Sequence, residues 1–272
     1  MVAVSTERRF DRNERMFGAT GQAKIAATRL AIVGCGGLGS AFGQQAAYLG
    51  VRSFALVDAD VVTESSLNRL VGSLPGDAAA ATPKVLVVQR VIRSIEPGSD
   101  VDAIEEWLDG PRARSAIVGA HVIIGCLDDD IARLELTAIT SEAKRPYLDL
   151  ASEVGDGAEW YGGRVLFAEP SRRCPYCLGE LDPDELALAG LSREQRIARD
   201  KSYGVSTSEL GTRGASVVSI NSVVASLALT ELMVYLTGLR PPAIGLTYRG
   251  ERGVVLRRTD EPTGPCPYCG RD

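Results

Sequence analysis

The stretch Gly34-Cys-Gly-Gly-Leu-Gly39 puts Gly34, Gly36 and Gly39 at the G-x-G-x-x-G spacing, with Gly37 as a fourth glycine. It follows an apolar run and opens a segment of helical periodicity. Glycines in that context let a backbone turn approach a phosphate or ribose, and the helix start supplies free N–H groups and partial positive charge. Asp58 and Asp60 follow at the end of the next expected strand, where a carboxylate can accept ribose hydroxyls. The plain alternative is a tight strand-to-helix turn with no ligand. The fingerprint alone does not separate NAD, FAD, S-adenosylmethionine and ATP.

Other residues must choose among these. Ser65-Ser-Leu-Asn-Arg69, Pro83-Lys84 and Cys126-Leu-Asp-Asp-Asp130 lie downstream. Two cations and a carboxylate gathered at one site suit a triphosphate with Mg²⁺, because the metal prefers hard oxygen ligands and the cations offset phosphate charge. A nicotinamide site needs neither. The single histidine, His121, stands at the entrance of an expected strand, where a structural role is expected of it. Tyrosine-based hydride chemistry stays open, so this weakens the dehydrogenase reading without removing it.

The six cysteines divide into Cys35 in the glycine turn, Cys126 in an expected strand, and the knuckles Cys174-Pro-Tyr-Cys177 and Cys266-Pro-Tyr-Cys269. Each C-x2-C turn presents two thiolates to one ion, and four thiolates close a structural tetrahedral Zn²⁺ site. Such a site would clamp the C-terminus onto the sheet domain. C-x2-C redox chemistry would not call for a second, near-identical pair, and a cytosolic setting disfavours disulfides. Cys35 and Cys126 are expected to be small buried core residues.

The elements that position these residues belong to a chain of 272 residues, 45% apolar and 24% charged, an ordinary globular composition. A net charge of −5 excludes nucleic-acid binding through a general basic footprint. Met1 to Met16 carries Glu7, Arg8, Arg9, Asp11 and Arg12 without an apolar centre, so neither a signal peptide nor an anchor is expected. Val217 to Leu236 is the best membrane candidate, but Asn221, Ser222, Ser226, Thr230 and Glu231 interrupt it. A buried or oligomer-facing helix is the better reading, with no membrane partner and a cytoplasmic location.

Arg29–Val33 and Ser53–Asp58 read as strands flanking a helix through Tyr48. Their continuous apolar character implies burial on both faces, hence a doubly wound parallel sheet of the α/β class. Thr82-Pro83 is expected to open a helix with Thr82 as N-cap, closed by Pro97-Gly98. Further strands are expected near Val101–Ile104, His121–Cys126 and Tyr147–Leu150, with a helix over Ile131–Ala143. The polar stretch Asp182–Arg213 reads as a crossover, a lid or partner-binding loop with a short helix at Arg193–Lys201.

Taken in order, Arg9-Phe-Asp-Arg12, the glycine turn, Val57-Asp-Ala-Asp60, Leu67-Asn-Arg69, Pro83-Lys84 and Cys126-Leu-Asp128 resemble the ThiF/MoeB/HesA family. These are adenylating enzymes related to ubiquitin-activating enzyme, and the resemblance runs from Arg9 to about Arg258. It implies a single domain over residues 1–272: a helical arm (1–28), a Rossmann-like nucleotide-binding core (29–170), a crossover loop (178–213), and a C-terminal part (214–272) with a helix, antiparallel strands and a zinc knuckle. It also implies ATP-dependent adenylation of the C-terminal carboxylate of a ubiquitin-like or sulfur-carrier protein or peptide, commonly ending in Gly-Gly. Asp58 would bind the ribose, with Asp60, Ser66, Asn68 and Leu127 among the nucleotide contacts. Arg69 and Lys84 would bind the phosphates and Asp128 the Mg²⁺, while Arg12 would reach in from the other subunit of a homodimer. Each has a bland alternative: surface charges for Arg69, Lys84 and Arg12, and a helix N-cap for Asp128.

The chemistry agrees with the residue list. A peptide α-carboxyl group, with a pKa of about 3.3–3.7, is already ionised at neutral pH and needs no general base. In-line positioning and charge neutralisation remain, tasks for Arg, Lys and Mg²⁺. Two departures from the family pattern stand out. Ser66 occupies a position where the family often has an Asn that contacts the nucleotide, which predicts weaker ATP binding or slower turnover. The segment between Arg69 and Lys84 is about two residues longer than usual in the family, by the same resemblance. No cysteine lies between Cys177 and Cys266, and the crossover offers Ser202, Ser206, Thr207 and Ser208. Serine is far less nucleophilic than a thiolate at neutral pH, so the chain resembles members that stop at the acyl-adenylate. A catalytically inactive scaffold of the same fold and a Rossmann NAD-dependent oxidoreductase are the alternatives.

Overall fold

The computed structural model describes residues 9–187 and 215–271. Helix α1 (Asp11–Ala27), broken at Gly18, leads into β1 (Arg29–Val33). The glycine turn then opens α2 (Gly37–Leu49), and β2 (Ser53–Val57) lies parallel to β1 with Ala31 opposite Ala55. There follow α3 (Pro75–Ala79), α4 (Lys84–Ile95), β3 (Asp100–Ile104), α5 (Pro111–Gly119), β4 (Val122–Gly125), α6 (Asp130–Glu142) and β5 (Tyr147–Val154). Next come β6 (Tyr161–Ala168), α7 (Pro183–Leu186), α8 (Val218–Thr237), β7 (Gly245–Arg249) and β8 (Val254–Arg258). The strands form one eight-stranded sheet in the order β3-β2-β1-β4-β5-β6-β7-β8. Pairing is parallel from β3 to β5 and antiparallel from β5 to β8.

Successive strand residues face opposite sides of a sheet, and here both sides are covered. Leu30, Ile32, Phe54 and Leu56 pack with Phe42 of α2, Val88 of α4 and Leu232 of α8. Ala31, Val33, Ala55 and Val57 pack with Ile117 of α5 and with Leu136 and Ile139 of α6. This two-sided burial is the origin of the unbroken apolar runs. Removing a side chain as large as the fully buried Phe42 would cost about 3–5 kcal/mol.

Two expectations need adjustment. Thr82 does not cap a helix: Val62 N donates to the Thr82 carbonyl at 2.8 Å, and Lys84 N to the Asp60 carbonyl at 3.0 Å. Those bonds hold Thr82 and Pro83 beside the chain leaving β2, so Pro83 is the N-cap and the helix begins at Lys84. Strand β5 runs past Leu150 to Val154, because β6 pairs with it along its whole length. The short helix expected at 193–201 lies outside the described residues; within the expected crossover, Pro183–Leu186 forms α7.

Helix α8 is long and apolar enough to cross a membrane, yet it is a core element. It buries Val224, Ala225, Ala228 and Leu232 against α2, β5 and β6. Its buried Glu231 accepts hydrogen bonds from Arg240 at 2.6 and 2.8 Å and from Ala243 N at 2.7 Å. His121 has the structural role expected of it. Its Nδ1 accepts from Arg29 N at 2.9 Å, and its own N donates to the Arg29 carbonyl, at the end of β1 opposite the glycine turn.

Candidate active site

A cleft of about 1740 Å³ opens at the C-terminal ends of β1, β2 and β4 and is continued by β5, β6 and β7. Open parallel sheets bind ligands in this position. Gly34 makes the turn at φ 91°, and a Cβ there would lie 2.5 Å from the Cys126 carbonyl oxygen. Gly36 and Gly37 present the first turn of α2 to the cleft. Gly39 does not line it; its bare Cα admits the Gly34 carbonyl, 1.9 Å from where a Cβ would stand. Gly39 therefore serves helix-to-strand packing rather than contact.

Asp58 follows β2 and is largely enclosed. Its Oδ2 accepts from Cys35 N at 2.7 Å and its Oδ1 from Asp60 N at 2.8 Å. Burial pushes its carboxyl pKa above the ordinary value, against the opposing pull of Lys84. Each oxygen keeps a lone pair for a further donor. Lys84, 7% exposed, donates from Nζ to Asp60 Oδ2 at 2.7 Å, so the surface-charge alternative fails for this residue. Arg69 is half-buried beside the glycine turn, with Nη1 donating to the Ser65 carbonyl and to Asn68 Oδ1.

Ser66 lines the cleft, but its hydroxyl is engaged by Thr63, accepting from Thr63 N at 3.2 Å and standing 3.1 Å from Thr63 Oγ1. Asn68 is exposed and outside the lining. Leu127 and Asp128 lie in the loop between β4 and α6 and line the cleft. The N-cap of α6 is Asp129, which accepts from Ala132 N at 2.9 Å, so the capping alternative for Asp128 falls away. The structure thus gathers Gly34, Gly36, Gly37, Asp58, Asp60, Ser66, Arg69, Lys84, Leu127 and Asp128 around one cavity. Gly39, Asn68 and Arg12 are not in that lining.

Arg12 is exposed on α1. Its neighbour Phe10 packs on Gly50, and Asn13 donates to the Leu49 carbonyl at 3.4 Å. Both contacts are at the far end of α2, a helix of 13 residues that spans about 20 Å. Arg12 therefore sits a helix length from the glycine turn of its own chain.

A buried charge network was not legible in the sequence. Asp149, fully enclosed on β5, accepts from Arg133 Nη1 at 2.6 Å, from the Tyr147 hydroxyl at 2.6 Å, and from Arg164. Burial alone would raise its carboxyl pKa, but Arg133, Arg164 and the Tyr147 hydroxyl outweigh it and hold the group below the ordinary range. Arg133 also donates to the Leu127 carbonyl and pairs with Asp130 at 3.3 Å, fixing both ends of the loop that carries Asp128. Arg164 reaches the Glu180 carbonyl at 2.8 Å. A lone Asp inside Tyr147-Leu-Asp-Leu150 was the available signal, since an isolated buried carboxylate requires partners. Burial pushes the thiols of Cys35 and Cys126 well above their ordinary pKa; Cys35 is buried in the core as expected, whereas Cys126 follows β4, is half-buried and lines the cleft.

On the face of the sheet that carries Tyr147, α5 and α6, Cys174, Cys177, Cys266 and Cys269 converge. Their Sγ atoms lie 3.7 Å (174 to 177), 3.8 Å (174 to 266) and 4.0 Å (177 to 269) apart, and all four fall within 4.8 Å of one another. Tetrahedral Zn–S bonds of about 2.3 Å require sulfurs about 3.8 Å apart, so this donor set could hold the ion. Three of the four pack into the core cluster with Tyr147 and Ala168.

Comparison with known proteins agrees with this geometry. Over 258 residues the chain is 28% identical to the sulfur carrier protein ThiS adenylyltransferase of Escherichia coli, covering 92% of this chain and 89% of that protein. It is 33% identical over 164 residues to the molybdopterin-synthase adenylyltransferase of Salmonella typhimurium, covering 59% of this chain and 63% of that one. In structure it resembles E. coli MccB, solved with MccA-N7isoASN, at a TM-score of 0.76 and 18% identity over 99% of this chain and 76% of that one. MccB solved with ATP superposes at a TM-score of 0.74 and 17% identity, over 97% and 74% of the two chains. The ThiF family model matches residues 10–257, a span that takes in the glycine turn, the acidic and basic residues around the cleft, and Cys174 and Cys177. The chain belongs to the ThiF family.

Proposed function

We propose that this chain is an ATP-dependent adenylyltransferase that activates the C-terminal carboxylate of a small ubiquitin-like or sulfur-carrier protein, or of a peptide, as an acyl-adenylate. The carrying observation is the convergence of Asp58, Asp60, Arg69, Lys84 and Asp128 on the glycine turn within one cleft. In this reading the first turn of α2 seats phosphate, Asp58 takes the ribose, and Arg69 and Lys84 balance the phosphate charge. Asp128 is the hard-oxygen ligand for Mg²⁺, which supplies charge neutralisation when bound. The ionised carboxylate attacks the α-phosphorus; the bond to the bridging oxygen breaks and pyrophosphate leaves. The small side chains of Ala151, Gly162, Gly163 and Thr247 along the sheet wall of the cleft suit an extended tail such as one ending in Gly-Gly.

The reaction stops at the adenylate in this chain. No cysteine lies between Cys177 and Cys266, Cys35 is buried, and desolvation raises the thiol pKa of both Cys35 and Cys126. The placement of Arg12 at the far end of α2 supports its action in trans, across a homodimer. Zinc in the four-cysteine cluster acts as a brace. Pyrophosphate exchange with a cognate carrier tests the reading: Asp128→Ala and Arg69→Ala should each abolish it, and full activity in both variants would overturn the assignment.

A further inference from the structure

We propose that Asn221, in the first turn of α8, is a nucleotide-contacting residue of this site, donating from its side-chain amide to the phosphate seated on the glycine turn. The inference rests on the nucleotide reading above. Asn221 lines the cleft and is 1% exposed. Its Oδ1 accepts from Ser152 Oγ at 2.6 Å, and its Nδ2 donates to Ser216 Oγ at 3.1 Å. The shorter bond has the length of an O–H···O contact and the longer that of an N–H···O contact, in keeping with this orientation of the amide. The Nδ2 atom lies where a side chain at Gly37 would be, 2.2 Å from that Cβ position, and the Cδ of Arg69 is 3.4 Å from the same point. The NH₂ group therefore stands against the first turn of α2, next to Arg69.

An amide NH₂ carries two donors. One is used by Ser216, and the second has no partner among the described residues. A fully enclosed donor is costly to leave unmatched, and the cleft is the direction in which an acceptor can arrive. The neighbouring polar group at Ser66 is already engaged by Thr63, so it leaves this task open. Ser152 on β5 holds Oδ1 and so aims the opposite edge of the amide at the phosphate. A neutral donor here adds affinity for the anion without a second buried cation beside Arg69.

The test uses the full-length protein and α,β-methylene-ATP with Mg²⁺, with affinity read by calorimetry and folding by thermal melting. Asn221→Leu should fold and bind the analogue about 10- to 100-fold more weakly, as expected for loss of a hydrogen bond to a charged group. Asn221→Asp keeps the acceptor for Ser152 but turns the donor edge into an anion, and should bind more weakly still. Affinities equal to wild type in both variants, whatever their melting temperatures, would overturn the proposal and leave Asn221 as a bridge between α8 and β5. Should either variant fail to fold, the wild-type protein labelled with ¹⁵N-asparagine decides. The Asn221 side-chain NH₂ signals should shift and exchange more slowly on saturation with the analogue, and unchanged signals refute the contact. Wild-type protein that binds no analogue at all would instead refute the nucleotide reading itself.

Discussion

Arg133 and Asp149 meet at 2.6 Å in the interior, and the same guanidinium holds the carbonyl of Leu127. The loop bearing Asp128 is thereby anchored to a strand rather than left to solvent. Asp149→Asn should lower the melting temperature by about 10 °C, since breaking a buried pair costs about 3–5 kcal/mol. It should also raise the Mg²⁺ concentration needed for half-maximal pyrophosphate exchange. A melting curve matching wild type would remove the network from any stabilising role.

The sign of the acid response follows from the same group. The folded-state pKa of Asp149 is depressed, so its contribution is present above the unfolded carboxyl value of about 3.9 and is lost as pH falls through the folded value. Melting temperature should therefore drop on acidification below about pH 4, and the drop should be shallower in Asp149→Asn. Parallel curves for the two proteins would contradict this.

Lys84 is buried against Asp60, so its replacement tests charge rather than surface. Lys84→Met should reduce pyrophosphate exchange by about 10²–10³-fold, the scale found when one preorganised electrostatic partner is removed. Asp60 can still reach solvent at the cleft, so the variant should remain folded by circular dichroism. Activity within threefold of wild type would argue against phosphate contact by this lysine.

The four sulfurs should hold one zinc per chain, measured by metal analysis. Cys174→Ser or exhaustive chelation should release the ion and destabilise the fold, because metal binding free energy is folding free energy in such sites. Activity should decline in step with unfolding. Loss of activity from a fully folded, zinc-free protein would assign the metal a different role.

Arg12 gives a test of trans action. Neither Arg12→Ala nor Asp128→Ala should be active alone. Mixed and allowed to exchange subunits, they should recover roughly a quarter of wild-type activity, since half of the dimers then contain one complete site. No recovery, with subunit exchange shown independently, would place Arg12 outside the reaction.

Local features were the readable ones. The glycine turn, its flanking strands and the cysteine knuckles are each set by residues close in sequence, so their spacing carried the geometry. Features that depend on distant partners were not. Thr82 looks like a helix cap until Val62 takes its carbonyl, and Tyr147–Leu150 looks like a short strand until β6 extends it. Asn221 reads as a polar blemish in an apolar helix, and only the packing of α8 beside Gly37 gives it a place at the cleft. Asp149 likewise depends on Arg164, which arrives from a neighbouring strand.

The chain between Val62 and Thr82 begins and ends side by side, joined by the pairing of Val61 with Pro83 and by the bonds from Val62 and Lys84, and in between it packs on the domain through the buried Leu70 and Asp77. Lys84 is thus positioned from below, independently of the length of the excursion above it. Doubling a flexible insertion costs only about 0.6 kcal/mol, so residues added at the exposed Leu74 would leave the lysine where it is. Length added at that point would leave Pro83-Lys84 in place, which makes the turn at Leu74 a natural point for grafting foreign peptides into this scaffold.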